Sequence, residues 1–140
     1  MILDYYTELS NGQALTATAV SESVLDLDND DNIGKGEPMG VAVTVAVAAD
    51  YTTEDETYQF TLQTSSDDLT FTDLISTGAI NGEDLKAGKV VVVPLGHAND
   101  RYVRMNYTLA GTSPSITVNA NLLPLSAIPS WEAHTSGFTV

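Results

Sequence analysis

Asp26, Asp28, Asp30 and Glu37 stand at the first, third, fifth and twelfth places of the stretch DLDNDDNIGKGE. From those places an EF-hand loop offers side-chain oxygens to calcium. Ile33 supplies the apolar residue such a loop carries at its eighth place. The EF-hand reading nevertheless fails on its scaffold. Its sixth residue must be glycine for the sharp turn, and here it is Asp31. The flanks SVLDL and MGVAVTV alternate as strands, where an EF-hand needs a helix on each side. Two readings remain open for the loop. One is a calcium site between strands, because crowded carboxylates repel one another without a counter-ion. The other is an acidic turn, because Asp and Asn are what turns are made of.

Other chemistry finds less support. His97 and His134 are the only histidines, far apart and without zinc-ligand spacing around them. Cysteine is absent, which removes disulfides, thiolate metal sites and cysteine nucleophiles. The nucleophile-elbow pattern G-x-S-x-G and glycine-rich phosphate loops are both missing. The chain is therefore read as a non-enzyme with no resident cofactor, the four-carboxylate loop being its one metal candidate. Tyr5, Tyr6, Tyr51, Tyr102 and Trp131 could stack sugar rings, although they do not cluster in sequence. A calcium-dependent carbohydrate-binding or adhesion module is accordingly the alternative function.

The chain has 140 residues, 43 % of them apolar, enough for one domain with its own core. Its formal net charge is −14, and all but two of its 19 acids precede Lys86. Such a balance repels nucleic acid, whose binding runs on clustered Lys and Arg. The acid reads either as a solubilising coat or as a polarised particle, acidic outside and near-neutral where it docks. No apolar run reaches membrane-spanning length, and MILDYYTELS lacks the basic and apolar regions of a signal peptide.

The elements that would position any site are strands. In GVAVTVAVA, Val41, Val43, Val45 and Val47 fall on one face, expected to be core, and Ala42, Thr44, Ala46 and Ala48 on the other. That small-residue face could take a close neighbour, another sheet or another subunit. TYQFTLQT places Tyr58, Phe60 and Leu62 together; after SSDD the alternation resumes in LTFTDLI, predicting a hairpin over 57–75. KVVVVPL reads as a strand buried on both faces, with Pro94 ending it or putting it near an edge. RYVRMNYTLA turns Val103, Met105, Tyr107 and Leu109 inward, and SITVNANLL does so with Ile116, Val118, Ala120 and Leu122. INGEDLKAG has room for one helical turn at most. The fold class is all-β, a sandwich or barrel of about eight antiparallel strands. Residues 1–122 form the domain with an N-terminal arm. Residues 123–140, interrupted by Pro124 and Pro129, form an extended C-terminal arm.

These pieces, in their order, resemble the small jelly-roll cement or decoration proteins that coat the heads of some tailed bacteriophages. The resemblance rests on MILD, ALTATAVSESVLDL, DNIGKGEPMGVAVTV, FTLQTSSDDLTFTDLISTGAI, DLKAGKVVVVPL and RYVRMNYTLAGT, and runs through Thr112. It implies a jelly roll, and makes the IG-x-GEP portion of the opening stretch a turn bent by Gly34 and Gly36. It also implies a structural role without catalysis. Homo-oligomers, dimers or trimers, would bind the major capsid protein on the outer surface of the virion, bridging and stabilising neighbouring capsomers, after synthesis in the host cytoplasm. The extension after Leu122 has no counterpart in the resemblance. Within this reading the expected contact residues are Ile2, Leu3, Tyr5, Tyr6, Ile128, Trp131 and Phe138, apolar and outside the alternating strands. Arg104, an outward cation on the less acidic half, completes the set.

Overall fold

The computed structural model describes residues 5–28, 38–95 and 100–128. Within them the chain forms ten strands: β1 (Glu8–Leu15), β2 (Ala19–Val20), β3 (Leu25–Asp26), β4 (Met39–Val47), β5 (Thr57–Ser65), β6 (Thr72–Ser76), β7 (Ile80–Asn81), β8 (Val90–Pro94), β9 (Tyr102–Ala110) and β10 (Ile116–Pro124). Every pairing is antiparallel. One sheet runs β1-β10-β4-β8; the other runs β2-β9-β5-β6, with β3 also on β9 and β7 also on β5. The fragments β2 and β3 share one partner, as do β6 and β7, so each couple acts as one interrupted strand. Counted so, eight strands remain. The chain changes sheet at every connection except the β5–β6 hairpin, which is the jelly-roll arrangement.

Period-two burial explains why these segments pair as they do. Tyr58, Phe60 and Leu62 on β5 and Val103, Met105 and Tyr107 on β9 are fully buried. Facing them from the other sheet are Leu9, Val41, Val43, Val45, Val118 and Ala120. Each of the larger apolar side chains among them contributes about 1.5–3 kcal/mol of transfer free energy. Phe60 and Tyr107 meet edge to face, with ring centroids 5.9 Å apart. The Tyr107 hydroxyl lies 2.7 Å from Ser10 Oγ. Since Ser10 donates to Gln13 Oε1, Tyr107 donates to Ser10, and its buried polar tip is satisfied. Burial pushes the Tyr107 phenol well above its ordinary range.

Three expectations change at the sheet margins. Val47 is 60 % exposed rather than core. The β4–β8 pairing ends at Thr44, and a register shift between Thr117 and Val118 breaks the alternation beside it. KVVVVPL is an edge strand: Val93 is buried, Val90, Val91 and Val92 are half-buried, and Pro94 lies at its end. Every residue of β6 is exposed, because it forms the far edge of its sheet.

At its Ala42 end the small-residue face of β4 receives a neighbour, the chain's own continuation, while Ala46 and Ala48 are exposed. β10 runs on to Pro124, past the boundary drawn at 122, into a 3-10 turn over Leu125–Ala127. Leu125 N–H donates to the Pro38 carbonyl at 2.8 Å. Gly40 makes room for this approach, since a Cβ there would sit 2.5 Å from Leu125 Cδ2. Ala42, Leu123 and Ile128 then form a second, smaller apolar cluster with Val90, Val92 and Leu125.

Candidate docking surface

The acidic loop is approached from β3, whose Leu25 and Asp26 pair with Val103 and Tyr102. Asp26 Oδ1 accepts from Arg101 Nε at 2.6 Å and from the Asp28 N–H at 2.9 Å; Oδ2 accepts from Arg101 Nη2 at 2.8 Å. This is the fork-to-fork geometry that suits guanidinium to carboxylate. Arg101 therefore holds the Asp26 carboxyl down to about 2, with help from the Asp28 N–H. Asp28 takes a left-handed φ of 59°, and its carboxylate lies 3.5 Å from the same guanidinium. The first acid of the loop thus already has an arginine as counter-ion, 75 residues away in sequence and unmarked by any motif. Asp30 and Glu37 lie outside the described residues, as do His97 and His134. Among the described residues no group of three or more His, Cys, Asp or Glu is placed to hold a metal ion.

The expected contact residues fall in three situations. Ile2, Leu3, Trp131 and Phe138 lie outside the described residues, and of Tyr5 only the backbone turn Tyr5–Thr7 is described. Tyr6, in that turn, is 86 % exposed at the rim of a shallow hollow shared with Glu8, Glu22 and Val24. Ile128 is a correction. It is 4 % exposed, packed with Ala42 and Leu123, so it serves the chain's own sheet and is not open to a partner in this conformation.

Arg104 is different, because the outer face of the six-stranded sheet builds a site around it. Inward residues of β5 and β9 leave Gln59, Thr61 and Gln63 outward, registered with Thr108, Asn106 and Arg104. Arg104 Nε donates to Gln63 Oε1 at 2.8 Å, and Gln63 Nε2 donates to Asp73 Oδ1 at 2.8 Å. The guanidinium carbon lies 3.8 Å from the centroid of the Phe71 ring, a cation–π contact that helps to hold the side chain in place. Phe71 reaches this place because the β5–β6 turn is self-capped. Asp67 Oδ1 accepts the Leu69 and Thr70 N–H groups at 2.9 Å each, which lowers the Asp67 pKa. Sequence reading found Arg104 but missed Phe71, Gln63 and Asp73, which meet it only through strand pairing.

Few charges stand in the strands of this sheet. Among them the ionised residues are Arg104, Asp73 and Asp26, the last paired with Arg101, while Glu22, Asp28, Asp67 and Asp100 sit in the connecting segments. The acids instead gather on connecting loops. Glu54, Glu56, Glu83 and Asp84 act together on Tyr51 and, after burial, raise its pKa. Asp55 beside them accepts from the Thr112 N–H at 3.0 Å and its hydroxyl at 2.9 Å, which lowers its own. Glu56 turns inward, in phase with Tyr58 and Phe60, and is fully buried; Thr53 donates to its Oε1 through both N–H and hydroxyl. The sequence alternation extends to Glu56, a signal hidden by the three exposed acidic or polar neighbours around it.

The family model Bbp16 matches residues 9–121, spanning β1 to nearly the end of β10, and the chain belongs to the Bbp16 family. No curated protein matches the chain.

Proposed function

We propose that this member of the Bbp16 family is a capsid cement or decoration protein of a tailed bacteriophage, non-catalytic and bound to the outer surface of the head. The observation that carries the reading is the contrast between the uncharged, hydrogen-bonding strand residues that surround Arg104 on β5 and β9 and a chain of net charge −14. A rigid jelly roll with most of its described acids outside the strands keeps the strand face around Arg104 sparsely charged. A lattice-bound protein needs such a face, because many copies each add a modest interface and strength comes from avidity. The resemblance through Thr112 supplies the partner, the major capsid protein, and the expectation of a homo-oligomer bridging capsomers. The alternative, a calcium-dependent sugar-binding or adhesion module, would draw on the acidic loop, whose first carboxylate is already taken by Arg101.

Co-sedimentation with expanded capsid shells stripped of the protein tests the reading. Saturable pelleting at a fixed copy number per shell, unchanged by EDTA, is the expected result. Absence of pelleting by folded protein overturns it. Pelleting abolished by EDTA would return the loop to the docking surface as a calcium site.

A further inference from the structure

We infer that the Arg104 guanidinium, seated over the Phe71 ring and tethered to Gln63, is the anchor that takes an aspartate or glutamate carboxylate of the capsid lattice. This rests on the cement reading above and adds the chemistry of one contact to it.

The argument begins with what the guanidinium does not do. This chain has 19 acids and five basic side chains. Arg101 finds two of those acids, yet among the described residues no carboxylate lies within salt-bridge distance of Arg104. Its one described hydrogen bond uses Nε and goes to a neutral amide, Gln63. The two Nη groups, which form the fork that suits a carboxylate, are left for another molecule. Asp73, the nearest described acid along the network, is occupied instead by Gln63 Nε2.

Preorganisation is the second part. A free arginine loses rotamer freedom when it docks, a cost of about 0.5–1.5 kcal/mol per immobilised side chain. Here the ring at 3.8 Å and the Gln63 bond have already fixed it. The site stands on paired central strands of the sheet, Gln63 opposite Arg104, rather than on a loop. Arginine seated over an aromatic ring at a sparsely charged, hydrogen-bonding face is also the composition of an interface hot spot.

Charge complementarity selects the occupant. A polyanion such as nucleic acid needs clustered cations, and it would meet the −14 field of the whole chain. A single carboxylate on a protein surface needs only one fork in sparsely charged surroundings. A second copy of this chain would bring the same net −14 to the encounter, which disfavours it as the donor of that carboxylate.

The test measures binding isotherms to stripped, expanded shells for wild type, Arg104→Lys, Arg104→Gln and Phe71→Leu. Lys89→Gln is the charge control, an exposed cation in the turn before β8. Arg104→Lys keeps the charge but loses the fork, so its affinity should fall about tenfold, the size of one good bidentate contact. Arg104→Gln should fall further, Phe71→Leu should fall severalfold, and Lys89→Gln should match wild type. Melting temperatures within a few degrees of wild type show that the variants fold. Shells that bind wild type and Arg104→Lys equally overturn the inference while leaving the cement reading standing. Shells that do not bind wild type remove both. Sedimentation velocity without shells completes the set. An unchanged oligomer in Arg104→Lys supports a capsid carboxylate, and a shift to a smaller species makes the occupant a second copy and overturns the assignment.

Discussion

Gly111 closes the turn between β9 and β10, and replacing it with alanine should be among the most damaging methyl additions in this chain. Its φ is +99°, where a side chain is strained. A Cβ there would also lie 2.5 Å from the Asp55 carbonyl oxygen, 2.7 Å from Glu56 Cα and 2.8 Å from the Asp55 carbonyl carbon. All three are backbone atoms, so no side chain can swing away. Strain of about 1–2 kcal/mol adds to overpacking of about 1–3 kcal/mol, giving a loss near 3 kcal/mol. For a domain of this size that is a drop of about 10 °C in melting temperature. Gly78→Ala is the internal standard. Its φ is +72° with nothing within 4 Å, so only the strain of about 1–2 kcal/mol applies. Urea unfolding of both variants measures the difference. Equal losses would refute the reasoning, because they would mean that the Asp55–Glu56 backbone does not press on Gly111.

Two further predictions follow from the same geometry. Asp26 has its pKa lowered from 3.8 to about 2, so its contribution to stability is present above pH 4 and is lost as pH falls from about 4 towards 2. Asp26→Asn should therefore flatten the acid limb of the melting temperature against pH, and an unchanged limb would place the proton uptake elsewhere. Ile128→Ala removes a 4 %-exposed side chain from the small outer cluster and should cost about 2 kcal/mol, the low end for such truncations. A neutral result in thermal denaturation would mean that this segment does not hold to its own sheet.

Much of the sandwich was legible because period-two burial is written directly into β5, β9 and β10. Tyr58, Phe60, Leu62, Val103, Met105, Tyr107, Val118 and Ala120 all face inward as their spacing requires. Margins were not legible, since Val47 and the β8 valines owe their exposure to where a neighbouring strand stops. Order across the sheets was equally hidden: β1 pairs with β10, at the opposite end of the described chain. The docking site was half-visible. Arg104 stood out as an outward cation, but Phe71 read only as one more alternating strand residue and joins Arg104 through the fold of the β5–β6 turn. Asp26 suggested calcium because composition shows carboxylates and not the arginine that arrives to neutralise one of them.

The central claim is that the protein reinforces a shell, and the rupture temperature of DNA-filled heads tests it most directly. Heads stripped of the protein, then refilled to saturation with the purified chain, should release their DNA at a higher temperature than stripped heads, to an extent that follows occupancy. Saturated heads that rupture at the same temperature as stripped ones would contradict the account.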